Sequence, residues 1–339
     1  MKLVSVIIPT YNRYKDLQLL LNSIAASDYP EIEIIVVDNA STDDTGRIAA
    51  EFMEENCREQ GQVLSAHAAS DSSNTNPHGQ HAGSLTMQYI ASPVNLNAGG
   101  GRAEGVKHAK GEYLLFVDDD NEIYPDMITE LVRFMELHPG TGLAAPLSLG
   151  GDDGKEVGAL GCGIDLKTSR AVFVQSGVRV EQVDPNGVYP TTAATNSFMM
   201  TREAYEKSGG WDPYFEIMYE ETDLGLRVQK AGFEQYYAPK ARTLHLGAVA
   251  TGENVGLRSL GIGSPRRAYT FARNRSIMMR RHAGLGARIV YFAVYNPAFT
   301  AYYVMQALKY HRADIALGYW KGAWKGCFCA KFGDHSPVL

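Results

Sequence analysis

GEYLLFVDDDNEIYP occupies residues 111–125. Tyr113 to Val117 is an unbroken apolar and aromatic run of strand length, and it stops at three aspartates, Asp118, Asp119 and Asp120. Adjacent carboxylates repel one another, so their cost has to be offset, and a divalent cation is the direct candidate. An EF-hand does not fit, because its sixth position would be Ile123 and its twelfth Thr129. On either side lie segments of similar character. LVSVII (3–8), EIEIIVVD (31–38) and LTMQYIAS (85–92) read as strands, as does EYLLFV (112–117). DLQLLLNSIAA (16–26) has helical apolar spacing, and Ser41 with Asp44 predicts an N-cap for a helix through about residue 56. A further helix is expected between the third strand and EYLLFV. Strands alternating with helices predict a mostly parallel α/β sheet, with ligands at the carboxyl ends of its strands. Thr10–Arg13, Asp38–Asn39 and Asp118–Asp120 all fall at such ends.

A chain of 339 residues can bury one large core, with or without an appendage. Cys57, Cys162, Cys327 and Cys329 form neither a disulfide framework nor a zinc spacing, so a reducing, cytoplasmic setting is expected. The apolar start is too short for a signal peptide and reads as the first strand. SAHAASDSSNTNPHGQHAGS (65–84) reads as a polar insertion, and its His67, His78 and His81 as solvated loop residues rather than metal ligands. The net charge of −6 divides unevenly, −16 over residues 1–250 and +10 over 251–339. Opposite signs suggest acidic metal chemistry in front and contact with an anionic surface behind, or a tail that docks on the acidic body.

SVIIPTYNR, IIVVDNASTDDT, GEYLLFVDDD and GGWDPYFEIMYEETDLGLRVQKAGFEQYYAPKARTLHLG, in that order, resemble the family 2 glycosyltransferases of the GT-A fold. The resemblance covers residue 3 to about 247. It implies an α/β GT-A fold over residues 1–250, followed by a basic, aromatic-rich helical C-terminal region, 251–339. It further implies inverting transfer from a nucleotide-diphosphate sugar, a UDP-sugar or dTDP-rhamnose, to a glycan or lipid-linked acceptor, with Mn2+ or Mg2+ as cofactor. Within the family's DXD motif, Asp120 would bind the metal. Asp118 would meet the ribose or the metal's water shell, with Asp119 beside them on the donor. Pro9, Thr10 and Asn12 match the first nucleotide loop and Asp38 the base-contacting aspartate. NLNAGGGRAEG (95–105), with Gly100 and Arg102, matches a glycine-rich stretch near the nucleotide, where the family often has glycine in place of Asn97. In YEETDLGLR (219–227), Glu221 matches the general base and Glu220 is its alternative. Trp211 and Asp212 would shape the acceptor pocket, and His245 would complete the metal site. A nucleotidyltransferase, or a GT-A domain that only binds nucleotide or glycan, are the rival readings.

Residues 289–308, IVYFAVYNPAFTAYYVMQAL, carry no charge, yet their tyrosines, Asn296 and Pro297 suit an interface, or ordinary core helices, better than a bilayer span. With the arginines upstream, they predict peripheral contact through 264–308 at the cytoplasmic membrane face. No nucleic-acid partner is expected, and the oligomeric state is not legible.

Overall fold

A computed structural model describes residues 1–57, 62–65, 83–194, 196–247 and 255–328. The expected insertion histidines and Cys329 lie outside the described residues, as does the join at 248–254.

The strands are β1 (Val4–Thr10), β2 (Glu31–Asp38), β3 (Gln62–Ser65), β4 (Ser84–Ala91), β5 (Tyr113–Val117), β6 (Asn121–Ile123) and β7 (Thr141–Gly150). The helices between them are α1 (Tyr14–Ala25), α2 (Thr45–Asn56), α3 (Asn97–His108) and α4 (Met127–Leu137). β5, β1, β2, β4 and β3 lie side by side and run parallel. Ser197–Thr201 enters antiparallel between β5 and β7. Glu234–His245 then runs parallel to β7 and antiparallel to β6. The result is the mixed, mostly parallel sheet of a GT-A fold, with helices on both faces.

Period-two alternation explains the two faces. Val4, Val6 and Ile8, with Ile32, Ile34 and Val36, pack against Leu17, Leu20, Leu21 and Ile24 of α1. Ile7, Ile35 and Val37 point the other way, into a core shared with Phe116, Trp211, Leu224 and Val228. Both faces are buried, so these strands read as continuous apolar runs. Each fully buried aliphatic side chain contributes about 1.5–3 kcal/mol.

One helix boundary differs from expectation. α2 begins at Thr45, and Ser41 is not its cap. Asp43 accepts from the Thr45 amide at 3.2 Å, while the Ser41 hydroxyl accepts from the Asn12 amide at 2.9 Å. The side chain that could cap a helix instead ties two strand-end loops together.

The C-terminal helices are Pro265–His282, Asn296–Lys309 and Ala313–Phe328. Several arginines of the first pair with acids of the body. Arg273 and Arg266 pair with Glu216 at 3.0 and 3.1 Å, and Arg281 with Asp212 and Asp223 at 2.8 and 2.9 Å. Part of the charge expected to face an anionic surface is thus paired within the body, while Arg266 keeps 61 % of its side chain exposed.

Candidate active site

Register brings the expected residues to one edge. Thr10 pairs with Asp38 across β1 and β2, so both strand ends coincide, and β5 delivers Asp118 beside them. Asp38 is buried and accepts from the Ser41 amide at 2.8 Å and from the Tyr89 hydroxyl. Pro9 is buried at the end of β1, and Asn12 accepts from the Thr42 amide at 2.8 Å.

The three aspartates have three different environments. Asp119 is 8 % exposed and accepts from the Thr10 hydroxyl at 2.7 Å. Burial pushes its carboxyl up to about 7, against the opposing pull of Thr10 and Arg13. Asp120 is also partly desolvated, but His245 and Arg13 outweigh this and hold its carboxyl below the usual range. Arg13 Nη1 lies 2.7 Å from Asp120 Oδ2, and His245 Nε2 lies 3.5 Å from Oδ1. His245 is raised chiefly by its hydrogen bond to Asp120. It arrives there because Glu234–His245 pairs with β6, placing His245 opposite Asn121. Asp118, expected at the ribose or the metal's water shell, accepts from Arg102.

Arg102 sits at the centre of the site. Its side chain is buried, bonded to Asp118, 3.1 Å from Glu221 Oε1 and 3.9 Å from Glu220 Oε1. Its guanidinium stacks 4.9 Å from the ring centroid of Trp211. α3 can carry it there because its glycines allow close packing. A Cβ on Gly105 would stand 2.5 Å from Ile7 Cγ2, one on Gly101 3.0 Å from Pro9 Cβ, and one on Gly100 3.0 Å from Leu96 Cβ. Asn97 starts the helix at φ +61°, a left-handed conformation that Asn tolerates where Gly is usual. Thus Gly100 packs the helix, and Arg102, expected on the donor, joins two sets of acids.

Glu220 and Glu221 open the helix Glu220–Lys230. Burial raises both carboxyls, against the opposing charge of Arg102, and Glu221 reaches about 8. Glu221 keeps 21 % side-chain exposure against 8 % for Glu220, so it is the acid that reaches solvent. The turn before them has positive φ at Glu216, Met218 and Tyr219 (58°, 72° and 70°). Such backbone costs of order 1–3 kcal/mol per residue and persists only where neighbours impose it. Buried Asn274 does so, its Nδ2 donating to the carbonyls of Phe215, Ile217 and Met218 at 2.6, 3.0 and 2.8 Å. Sequence reading missed Asn274 and Tyr89, and placed Arg13 at a strand end without its partner Asp120, since each acts through a partner distant in the chain.

Trp211 and Asp212, expected to shape the acceptor pocket, have packing and capping partners within the body. Trp211 is 5 % exposed and packs edge-on against Phe116 at 5.2 Å, because its large apolar area is best buried. Asp212 caps Pro213–Phe215 through the Tyr214 amide at 3.0 Å and pairs with Arg281. Neither is among the residues lining the neighbouring cavity of about 290 Å³, whose walls include His245, Asn196, Cys162, Glu156 and Phe173. The Cys162 thiol is raised first by burial and also by the charge of Glu221, so Glu221 lies within electrostatic reach of this cavity.

Among the described residues, no group of three or more His, Cys, Asp and Glu side chains forms a ready-made metal cage. Asp120 with His245 still fits a hard cation that takes its remaining oxygens from a diphosphate and water.

Comparison with known proteins identifies similar chains and folds. Residues 5–64 and 70–157 match the family described as Glycosyl transferase family 2. Poly(ribitol-phosphate) beta-N-acetylglucosaminyltransferase TarS of Staphylococcus aureus is 31 % identical over 139 residues, 40 % of this chain and 19 % of that enzyme. GalNAc(5)-diNAcBac-PP-undecaprenol beta-1,3-glucosyltransferase of Campylobacter jejuni is 27 % identical over 38 % of this chain and 33 % of its own. The matched region is thus under half of either relative's length. Mannosyltransferase PcManGT of Pyrobaculum calidifontis, solved with GDP-Man and Mn2+, superposes with a TM-score of 0.54 at 14 % identity, over 97 % of this chain and 88 % of that one.

Proposed function

The chain belongs to glycosyl transferase family 2, and on that premise we propose that it moves a sugar from a nucleoside-diphosphate donor to a hydroxyl of a glycan or lipid-linked saccharide, with inversion. The observation that carries this reading is the meeting at Arg102 of the strand-end acid Asp118 and the helix-end acid Glu221. Two carboxylates from opposite halves of the fold are held at one buried cation, as a donor side and a base side require.

In the proposed reaction the acceptor enters through the cavity beside His245. Glu221 takes the proton of its hydroxyl as the oxygen bonds to the anomeric carbon. The bond from that carbon to the diphosphate oxygen breaks, and the nucleoside diphosphate leaves with the electron pair. Inversion follows from attack on the face opposite the leaving group. Burial favours Glu221 by raising its proton affinity. Arg102 offsets the repulsion among Asp118, Glu220 and Glu221 and fixes the direction of the base. Asp38, Thr10 and Asn12 are assigned to the nucleotide, at the ends of β1 and β2 beside Asp119. Asp120 and His245 would hold a Mn2+ or Mg2+ ion, which would supply Lewis-acid stabilisation of the diphosphate. A UDP-sugar is the favoured donor, with dTDP-rhamnose second. The undecaprenol-linked substrate named for the Campylobacter relative supports a lipid-linked acceptor here.

A thermal-shift panel of UDP, dTDP and GDP nucleotides and their sugars, with and without Mn2+, tests the donor side. A true donor at a hundredfold its Kd stabilises by about 2.7 kcal/mol. Release of pyrophosphate in place of a nucleoside diphosphate would transfer the site to nucleotidyl chemistry. Binding without turnover on any acceptor would leave a domain that only binds.

A further inference from the structure

We infer that the two-helix unit formed by residues 285–309 and 313–328 is a membrane-docking face, which embeds in an anionic bilayer surface without crossing it. Twelve of the 22 large hydrophobic side chains exposed among the described residues fall within 285–328. They are organised by helical period. Along 285–309, Ile289, Val294, Met305 and Leu308 are 51–61 % exposed, and no charged residue occurs between Arg288 and Lys309. The helix Ala313–Phe328 has two faces of opposite character. Gly318, Gly322 and Gly326 face the helix Pro265–His282, where an added Cβ on Gly318 would stand 2.5 Å from the Pro265 carbonyl and one on Gly326 2.9 Å from that of Arg273. The other face carries Leu317, Trp320, Trp324 and Phe328, all 49–65 % exposed. Trp320 and Trp324 stack with ring centroids 6.3 Å apart, and Trp324 lies 4.6 Å from Phe328.

Charge and residue type select the occupant. The chain has three tryptophans; Trp211 is buried, and the other two are spent on this exposed stripe. Tryptophan beside water prefers the headgroup level of a bilayer, where its ring is desolvated and its N–H remains bonded. Lys321 and Lys325 flank the two rings, and residues 285–328 hold five Lys and Arg against one acid, Asp314. That balance complements anionic lipid, at about 1 kcal/mol per basic residue near the surface. None of the described helices is long and apolar enough to cross a membrane, so the helices lie in the interface. This face lies beyond 264–282, where Arg273 and Arg281 are paired with acids of the body. The inference deepens the lipid-linked reading of the acceptor, yet its test does not depend on transfer.

The full-length chain is mixed with vesicles of phosphatidylcholine containing phosphatidylglycerol, and with phosphatidylcholine alone. Tryptophan emission should shift to the blue and be quenched by brominated acyl chains, more strongly with the anionic vesicles and less at high salt. Trp320→Glu/Trp324→Glu should lose at least tenfold in vesicle affinity while keeping the melting temperature, because both rings are exposed. Ile289→Glu/Val294→Glu should lose affinity in the same direction. Val172→Glu, an exposed hydrophobic elsewhere, should bind as the parent does. Absence of quenching, or affinity unchanged in both double variants, overturns the inference. So does a blue shift that tracks protein concentration without lipid, since the occupant would then be a second copy of the chain. Turnover of a water-soluble acceptor, retained in the double variants, would separate loss of docking from failure of the proposed activity.

Discussion

The side-chain amide of Asn274 donates to the main-chain carbonyl of Met218 at 2.8 Å, and through it a C-terminal helix holds the turn that delivers Glu221. Asn274 makes three such bonds to a segment with positive φ on both sides of the bend. Asn274→Ala should cost about 2–4 kcal/mol, the loss of three bonds with buried carbonyls left unpaired. It should lower kcat more than it weakens donor binding, because the base shifts while the nucleotide site stays. Asn274→Asp should be worse, since it sets an anion against three carbonyl oxygens. Denaturant melts and a kcat-against-Kd comparison check this; equal loss in both parameters would argue for general destabilisation only.

Glu221→Gln separates proton transfer from packing. Donor affinity should be nearly unchanged and kcat should fall by roughly 10²–10⁴. Glu220→Gln, deeper and 3.9 Å from Arg102, is the matched control and should keep most of its turnover. A large loss confined to Glu220→Gln would move the base by one residue.

The pH dependence has a definite sign. Burial raises Glu221 to about 8 and Asp119 to about 7, so the folded, ligand-free protein holds protons that the unfolded chain releases near pH 4. Stability from this source is full below about pH 4 and is lost as pH rises through 8. Melting temperature should therefore decline across pH 5–8 more steeply in the parent than in Glu221→Gln. kcat/KM, which follows the free enzyme, should climb with pH toward 8 as Glu221 becomes able to accept a proton. Parallel melting curves for parent and variant would remove Glu221 from this account.

Asp120→Asn and His245→Ala should each abolish the Mn2+ dependence of donor binding in a thermal-shift titration, while EDTA should stop transfer by the parent. Full activity in EDTA would rule out the metal reading.

Phe173, 59 % exposed in the cavity wall, offers an aromatic face to a sugar ring. Phe173→Ala should raise the acceptor KM and leave donor binding unchanged. The reverse pattern would place the donor sugar, rather than the acceptor, in this cavity.

Wherever local chemistry decided the outcome, the sequence alone was sufficient. Glu31–Asp38 has the bounds its largely apolar run predicts, with buried Glu33 bonded to Ser5. Asp38, Asp118 and Asp120 reach one edge because parallel strands end together. Asn97 adopts the conformation of the glycine it replaces, for reasons contained in its own side chain. What the tertiary structure decided are pairings between charges far apart in sequence. Whether the arginines of 264–282 face lipid or protein depends on Glu216, Asp212 and Asp223 lying against them. That Trp211 packs in the core beneath Arg102 depends on α3 bringing Arg102 over its ring. The stripe of Trp320, Trp324 and Phe328 became visible only once Gly318, Gly322 and Gly326 were seen to turn the opposite face inward. An apolar pattern states that a face wants to leave water, but only packing determines which face has already done so.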